Sequence, residues 1–266
     1  MGKVTYSDGI AILQLVIFPF ILGAAIFIWS RTGLRVGSKI WRYPVTLSLI
    51  RIAGSIASLL TINHDSYNVE VAVAVCELIG IAPLLLTYIG ILRQIDTEQR
   101  IPPRFMKIIT IIAFIALILG IAGVSSADDN SDGYRPDTIV KVSMAIFIVV
   151  FVIYNLIAAW LFFQLSFSMR NFQKKLFMAI MLSFPFILVR VIYSAIGDYT
   201  SIDKFAVLTG SPTIYLVMDV LEEIVAMALT MFLGMSAVLE SDFVKLSPEQ
   251  MGAEPKYDQV QVHPQV

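Results

Sequence analysis

One pattern decides what this chain can fold into: long apolar runs separated by short polar breaks. A helix needs roughly 20 mainly apolar residues, rising 1.5 Å each, to cross the hydrocarbon of a bilayer. Seven stretches qualify, at about 8–30, 43–62, 68–92, 106–124, 138–163, 176–197 and 213–238. The breaks are turn-like and charged, as in Thr32-Gly33-Leu34-Arg35 and Ile101-Pro102-Pro103-Arg104. Ser125 to Asp137 is an acidic loop with Gly133 and Asn130. Composition points the same way. Hydrophobic residues make up 58% and charged residues 15%, against roughly 45–50% and about 25% in soluble chains. A soluble globule this apolar would leave large patches in water. The expected fold is an all-α membrane protein, a seven-transmembrane-helix bundle over 1–238. A polar tail, 239–266, carries Pro248, Pro255 and Pro264 and is expected to be disordered and cytosolic.

Loop charge sets an expected orientation, because short cytoplasmic loops are enriched in Lys and Arg. The odd loops carry Arg31, Arg35, Lys39 and Arg42, then Arg93, Arg100, Arg104 and Lys107, then Arg170, Lys174 and Lys175. The opposite side has Lys3, Arg135, Lys141 and Lys204, with Asp128, Asp129, Asp132 and Asp137 among them. The odd loops and the C-terminal tail should therefore face the cytosol, and the N-terminus the lumen or outside. The first apolar run is too long for a cleavable signal peptide and reads as a signal anchor. The endoplasmic reticulum and the plasma membrane are both open as locations.

Several function classes are disfavoured. A net charge of −1 gives no global basic surplus for nucleic acid. Cys76 is the only cysteine, and His64 and His263 are the only histidines. A bis-histidine haem, a multi-histidine metal centre and a Ser/His/Asp or Cys/His triad are thus not expected. No metal or cofactor is expected. Carboxylates, Arg and Tyr remain.

Those residues occur where they are costly. Insertion scales put Arg, Lys or Asp at a helix centre at about +2.5–3.5 kcal/mol. Arg51, Glu77, Arg190, Asp219, Glu222 and Glu223 all fall inside apolar runs. Helical rise places them at about 9–16 Å from the outer end of their spans, a common depth. Helical spacing puts Tyr215, Asp219, Glu222, Glu223 and Thr230 on one face of span seven. It puts Ser183, Phe186, Arg190 and Tyr193 together in span six, and Ser48, Arg51 and Ser55 in span two. Glu77 and Tyr88 align in span three, and Asn155 and Gln14 are further polar candidates. Two Arg facing four acids leave a surplus of negative charge, so at least one acid should be protonated, or the pocket wet. Arg51–Glu77 and Arg190–Glu223 could equally be ion pairs that merely lock helices. Asp8, Glu70 and Lys141 should be solvated near the outer interface. Leu49-Ile50-Arg51-Ile52 and Leu188-Val189-Arg190-Val191, each followed by a span with an acid, hint at a parallel repeat of spans one to three as five to seven.

The run from Trp41 through Leu49-Ile-Arg51-Ile-Ala-Gly-Ser55, then Glu77-Leu-Ile-Gly-Ile-Ala-Pro83-Leu84, resembles an uncharacterised family of fungal seven-helix integral membrane proteins. Val189-Arg190-Val-Ile-Tyr193-Ser194 and the Glu222-Glu223 helix fit the same pattern, and the resemblance covers about 5–240. That family is distantly similar to fungal lipid-translocating seven-helix proteins. It also shares size and topology with membrane-bound terpene cyclases of meroterpenoid biosynthesis, which use intramembrane carboxylic acids to protonate an epoxide. The resemblance implies a cyclase of a prenylated, epoxide-bearing lipid, with Glu77, Asp219, Glu222 and Glu223 as catalytic candidates. Arg51, Arg190, Tyr193, Tyr215, Tyr88, Asn155 and Phe186 would be charge partners and pocket wall. A proton-coupled carrier or flippase for a lipid or small amphipath is the second expectation, and a seven-helix receptor the third. Each takes an apolar or amphipathic small molecule from the bilayer.

Overall fold

The computed structural model describes residues 5–33, 37–61, 80–125, 138–200, 205 and 210–246. Its elements are α1 (Tyr6–Thr32), α2 (Arg42–Thr61), α3 (Ile81–Ile95), α4 (Pro103–Ser125), α5 (Thr138–Leu165), α6 (Asn171–Tyr199) and α7 (Leu221–Val238). A short turn, Pro212–Tyr215, and a π-helical segment, Leu216–Val220, lead without a break of helical backbone into α7. Five of the described helices, α1, α2, α4, α5 and α6, are long and apolar enough to cross a membrane.

The helix α3 is at the centre. Except for Arg93, every residue from Ile81 to Ile95 is buried. A helix apolar all round finds no solvent-facing side and sits inside a bundle. Around it, α1 packs on α2 and α7, α6 on α7, and α4 on α5. The outer helices turn large apolar side chains outward, among them Phe20, Ile118, Leu156, Phe163 and Phe232. In water such a surface would aggregate, whereas in lipid it is at rest. The architecture is that of a multi-pass membrane protein.

The basic loops converge at one end of the bundle. Arg100 Nη1 donates to the carbonyl of Gln164 at 2.7 Å, and Gln173 Nε2 to that of Ile95 at 2.8 Å. Residues 239–246, which the sequence assigns to the tail, pack under this end. The Asp242 carboxylate accepts the backbone N–H of Asn171 at 2.6 Å, covering one of the open donors that begin α6. The Phe243 ring meets that of Phe172 edge-on at 5.5 Å, Gln94 Nε2 donates to the Val244 carbonyl, and Leu246 is buried. Two apolar side chains hold this stretch of tail against the bundle. Lys175 pairs with Glu240 beside it.

Candidate functional site

Four charged side chains meet in the bundle interior. Arg51 of α2, Arg190 of α6, Asp219 of the π segment and Glu223 of α7 are 2%, 1%, 4% and 1% exposed. Arg51 grips Glu223 with two nitrogens, Nε to Oε1 at 2.7 Å and Nη2 to Oε2 at 2.8 Å. Such a planar fork is the geometry in which guanidinium and carboxylate bind best. Arg51 Nη2 also reaches Asp219 Oδ2 at 3.3 Å. From the other side, Arg190 Nη1 lies 2.7 Å from Glu223 Oε2, 2.8 Å from Asp219 Oδ1 and 3.2 Å from the Asp219 carbonyl. Glu223 Oε2 thus serves both guanidiniums.

Two acids four residues apart share a helix face, and so meet the same pair of Arg. Asp219 lies in the π segment and Glu223 in the first turn of α7. An i→i+5 segment inserts an extra residue per turn and re-aims the side chains around it. A second device is Gly80. A Cβ there would stand 2.7 Å from Nη2 of both Arg51 and Arg190 and 3.1 Å from Glu223 Oε2. The backbone just before α3 therefore closes the cluster, and any larger residue would push on both guanidiniums.

Among the described residues, two Arg face two acids. Arg51 pairs with Glu223 and Asp219. Its anticipated partner, Glu77, lies outside the described residues. Glu222, one residue from Glu223, is turned to a neighbouring face. It is half-buried, and its Oε2 is shielded from solvent without a hydrogen-bond partner. Tyr215 is half-buried and close enough to Arg51 to act on it electrostatically.

Other candidates are placed apart. Tyr88 is buried about two helical turns toward the basic end, with Oη 2.8 Å from Thr230 Oγ1. Ser183 Oγ joins the same layer by donating to the Ala226 carbonyl at 3.2 Å. Asn155 donates to the Phe151 carbonyl of its own helix at 2.7 Å. Tyr193 is buried with its ring 6.1 Å from that of Phe205, and Phe186 is a partly buried part of the core wall. Asp8 is not solvated as anticipated but 5% exposed, because its carboxylate folds back to accept the Thr5 backbone N–H at 2.6 Å.

Two residues of this region escaped the sequence reading. Gly80 was legible only as a glycine in an apolar run, a mark of close backbone approach. Tyr154, with its ring stacked 6.0 Å from Tyr88 and its buried hydroxyl unpartnered, sits in a span where Asn155 drew attention instead. Gln14, singled out beforehand, accepts from Ser55 Oγ at 3.1 Å, one turn of α2 beyond Arg51, and its Nε2 is buried without a partner. Among the described residues no group of three or more His, Cys, Asp or Glu is arranged to hold a metal ion.

No curated protein and no solved structure matches the chain. A family model does, described as a domain of unknown function, DUF7702, and it matches residues 4–240. The match spans all the described helices, and the chain belongs to that family.

Proposed function

We propose that the protein is a proton-coupled carrier or flippase for an amphipathic molecule with an acidic head group. The observation that carries this reading is the shared, buried cage of Arg51, Arg190, Asp219 and Glu223. Ionisable groups within spans commonly mark substrate and proton paths. A proton taken up by either carboxylate removes one negative charge from the cage. An anionic head group then replaces the lost carboxylate on the guanidinium fork. Release of the proton restores the carboxylate, which competes the head group away. Loading and unloading thus depend on protonation, and the cage has two discrete arrangements.

The reading carries seven membrane crossings, with the N-terminus outside, the tail cytosolic, and the protein in the endoplasmic reticulum or plasma membrane. The parallel 3+1+3 repeat fits it, because Arg51 and Arg190 hold equivalent places in the two halves and bind the same Glu223. The test is flux of a fluorescent acidic lipid in proteoliposomes with and without a proton gradient. Gradient-dependent flux that is lost in Glu223→Gln supports the carrier. Flux equal to that of protein-free vesicles overturns it.

One observation favours a second reading, the acid-catalysed cyclase of a prenylated, epoxide-bearing lipid. Glu222 carries a shielded carboxyl oxygen that no Arg engages, and an uncompensated acid in an apolar setting can act as a proton donor. A new covalent product in sealed microsomes, lost in Glu222→Gln, would select this reading over transport.

A further inference from the structure

A second charged constellation lies at the basic end of the bundle, far from the buried cage. Lys39 belongs to the turn before α2, Arg42 begins α2, Arg93 ends α3 and Lys107 sits in the first turns of α4. The turn and α3 are brought together by Gly90, where a Cβ would stand 3.1 Å from Ile40 Cα and 3.3 Å from its carbonyl oxygen. One residue before Ile40 is Lys39, and one turn beyond Gly90 is Arg93. Burial, and next the positive charges of Arg93, Lys107 and Arg42, hold the Lys39 ammonium below the usual lysine range.

Two hydroxyls stand between these cations. Arg93 Nη2 donates to Thr110 Oγ1 at 2.9 Å, and Thr110 is one turn along α4 from Lys107. The Arg42 guanidinium lies over the Tyr43 ring at 4.9 Å, and its Nη2 donates to Tyr43 Oη at 3.0 Å. Arg42, Arg93 and Lys107 form no ion pair with any described carboxylate. Arg93 is half-buried, and its Nε is shielded from solvent with no hydrogen-bond partner. A guanidinium N–H sequestered in this way lacks the acceptor that burial demands. Arg42 and Lys107 beside it have no carboxylate partner among the described residues, and a multiply charged anion with several acceptor oxygens supplies both acceptor and counter-charge.

The surroundings say where that anion comes from. Beside Lys107, α4 turns Phe105, Ile108, Ile111 and Ile112 outward, an apolar lane running away from the cationic end. A charged group at the membrane boundary with acyl-sized apolar surface below it matches a lipid rather than a soluble ion.

We propose that Lys39, Arg42, Arg93 and Lys107 form a binding site for the phosphate of an anionic lipid head group, whose acyl chains lie along α4. The site does not depend on transport or catalysis at the buried cage.

The experiment is native mass spectrometry of the purified full chain in detergent, titrated with phosphatidic acid or phosphatidylcholine. Wild type should retain phosphatidic acid selectively. Arg42→Gln with Lys107→Gln, both exposed positions, should weaken that retention roughly tenfold, the loss of about one charge-assisted hydrogen bond. Arg93→Gln should do the same, with circular dichroism checking that the half-buried substitution leaves the fold intact. Lys174→Gln, an exposed lysine at the same end but outside the constellation, should stay within about twofold. Equal loss in Lys174→Gln, or no preference for phosphatidic acid in wild type, overturns the site. Full displacement of phosphatidic acid by inorganic phosphate overturns the lipid as its source.

Discussion

At the scale of single residues, the buried cage is sensitive to any change in charge. Glu223→Gln leaves two guanidiniums facing one carboxylate. Removing one partner of a buried pair costs about 3–5 kcal/mol, because the remaining charge is stranded. A sharp fall in unfolding temperature in detergent is the expected result. Arg190→Met strands an acid instead and should cost a similar amount. Gly80→Ala changes no charge, yet its methyl would press on both guanidiniums. Overpacking of this kind costs about 1–3 kcal/mol, so this variant should unfold earlier than wild type but later than Glu223→Gln. Arg51, Arg190, Asp219 and Glu223 were legible in the sequence because charge is rare in apolar runs. Their partners were not. Which acid an Arg meets depends on which helices touch, and α2 touches the π segment and α7 only through tertiary packing. Of the other two acids counted along the chain, Glu222 faces elsewhere and Glu77 lies outside the described residues.

Among the elements, the π segment Leu216–Val220 is the one on which the site depends most. Deleting Val217 should restore a regular helix and rotate Tyr215 and the preceding turn relative to Glu223. Helix content by circular dichroism should hold while acidic-lipid flux falls to background. Nothing local in Leu-Val-Met-Asp-Val announces a π turn, so this feature could not be read from periodicity. Five of the spans could, since each rests on length and apolarity alone. The stretch 239–246 shows the opposite lesson. Its polar composition reads as tail, yet Phe243 and Leu246 dock it and Asp242 covers the start of α6. Asp242→Ala should cost about 0.5–2 kcal/mol, as loss of a helix cap does. Faster cleavage near residue 240 in limited proteolysis would reveal it.

For the whole molecule, the proposed orientation makes a direct prediction. With Cys76→Ala as background, Lys107→Cys and Lys245→Cys should both label from the cytosolic side with a membrane-impermeant maleimide, and Tyr6→Cys only from the other. The structure bears on this through the described loops it gathers at one end. The long-range pairing within the cage also bears on how the molecule is made. Arg51 lies 172 residues before Glu223 and 168 before Asp219. At a synthesis rate of about 5–20 residues per second, on the order of ten to thirty seconds separate the Arg from its acids. Through that interval the second helix exists as a nascent segment with an unanswered guanidinium. It must wait in the insertion machinery, against water or a borrowed anion, until the last helix emerges. Birth order therefore runs against the logic of the finished cage: the last of the described helices to be made releases the second from its waiting state, and the cage is completed from its C-terminal side backward.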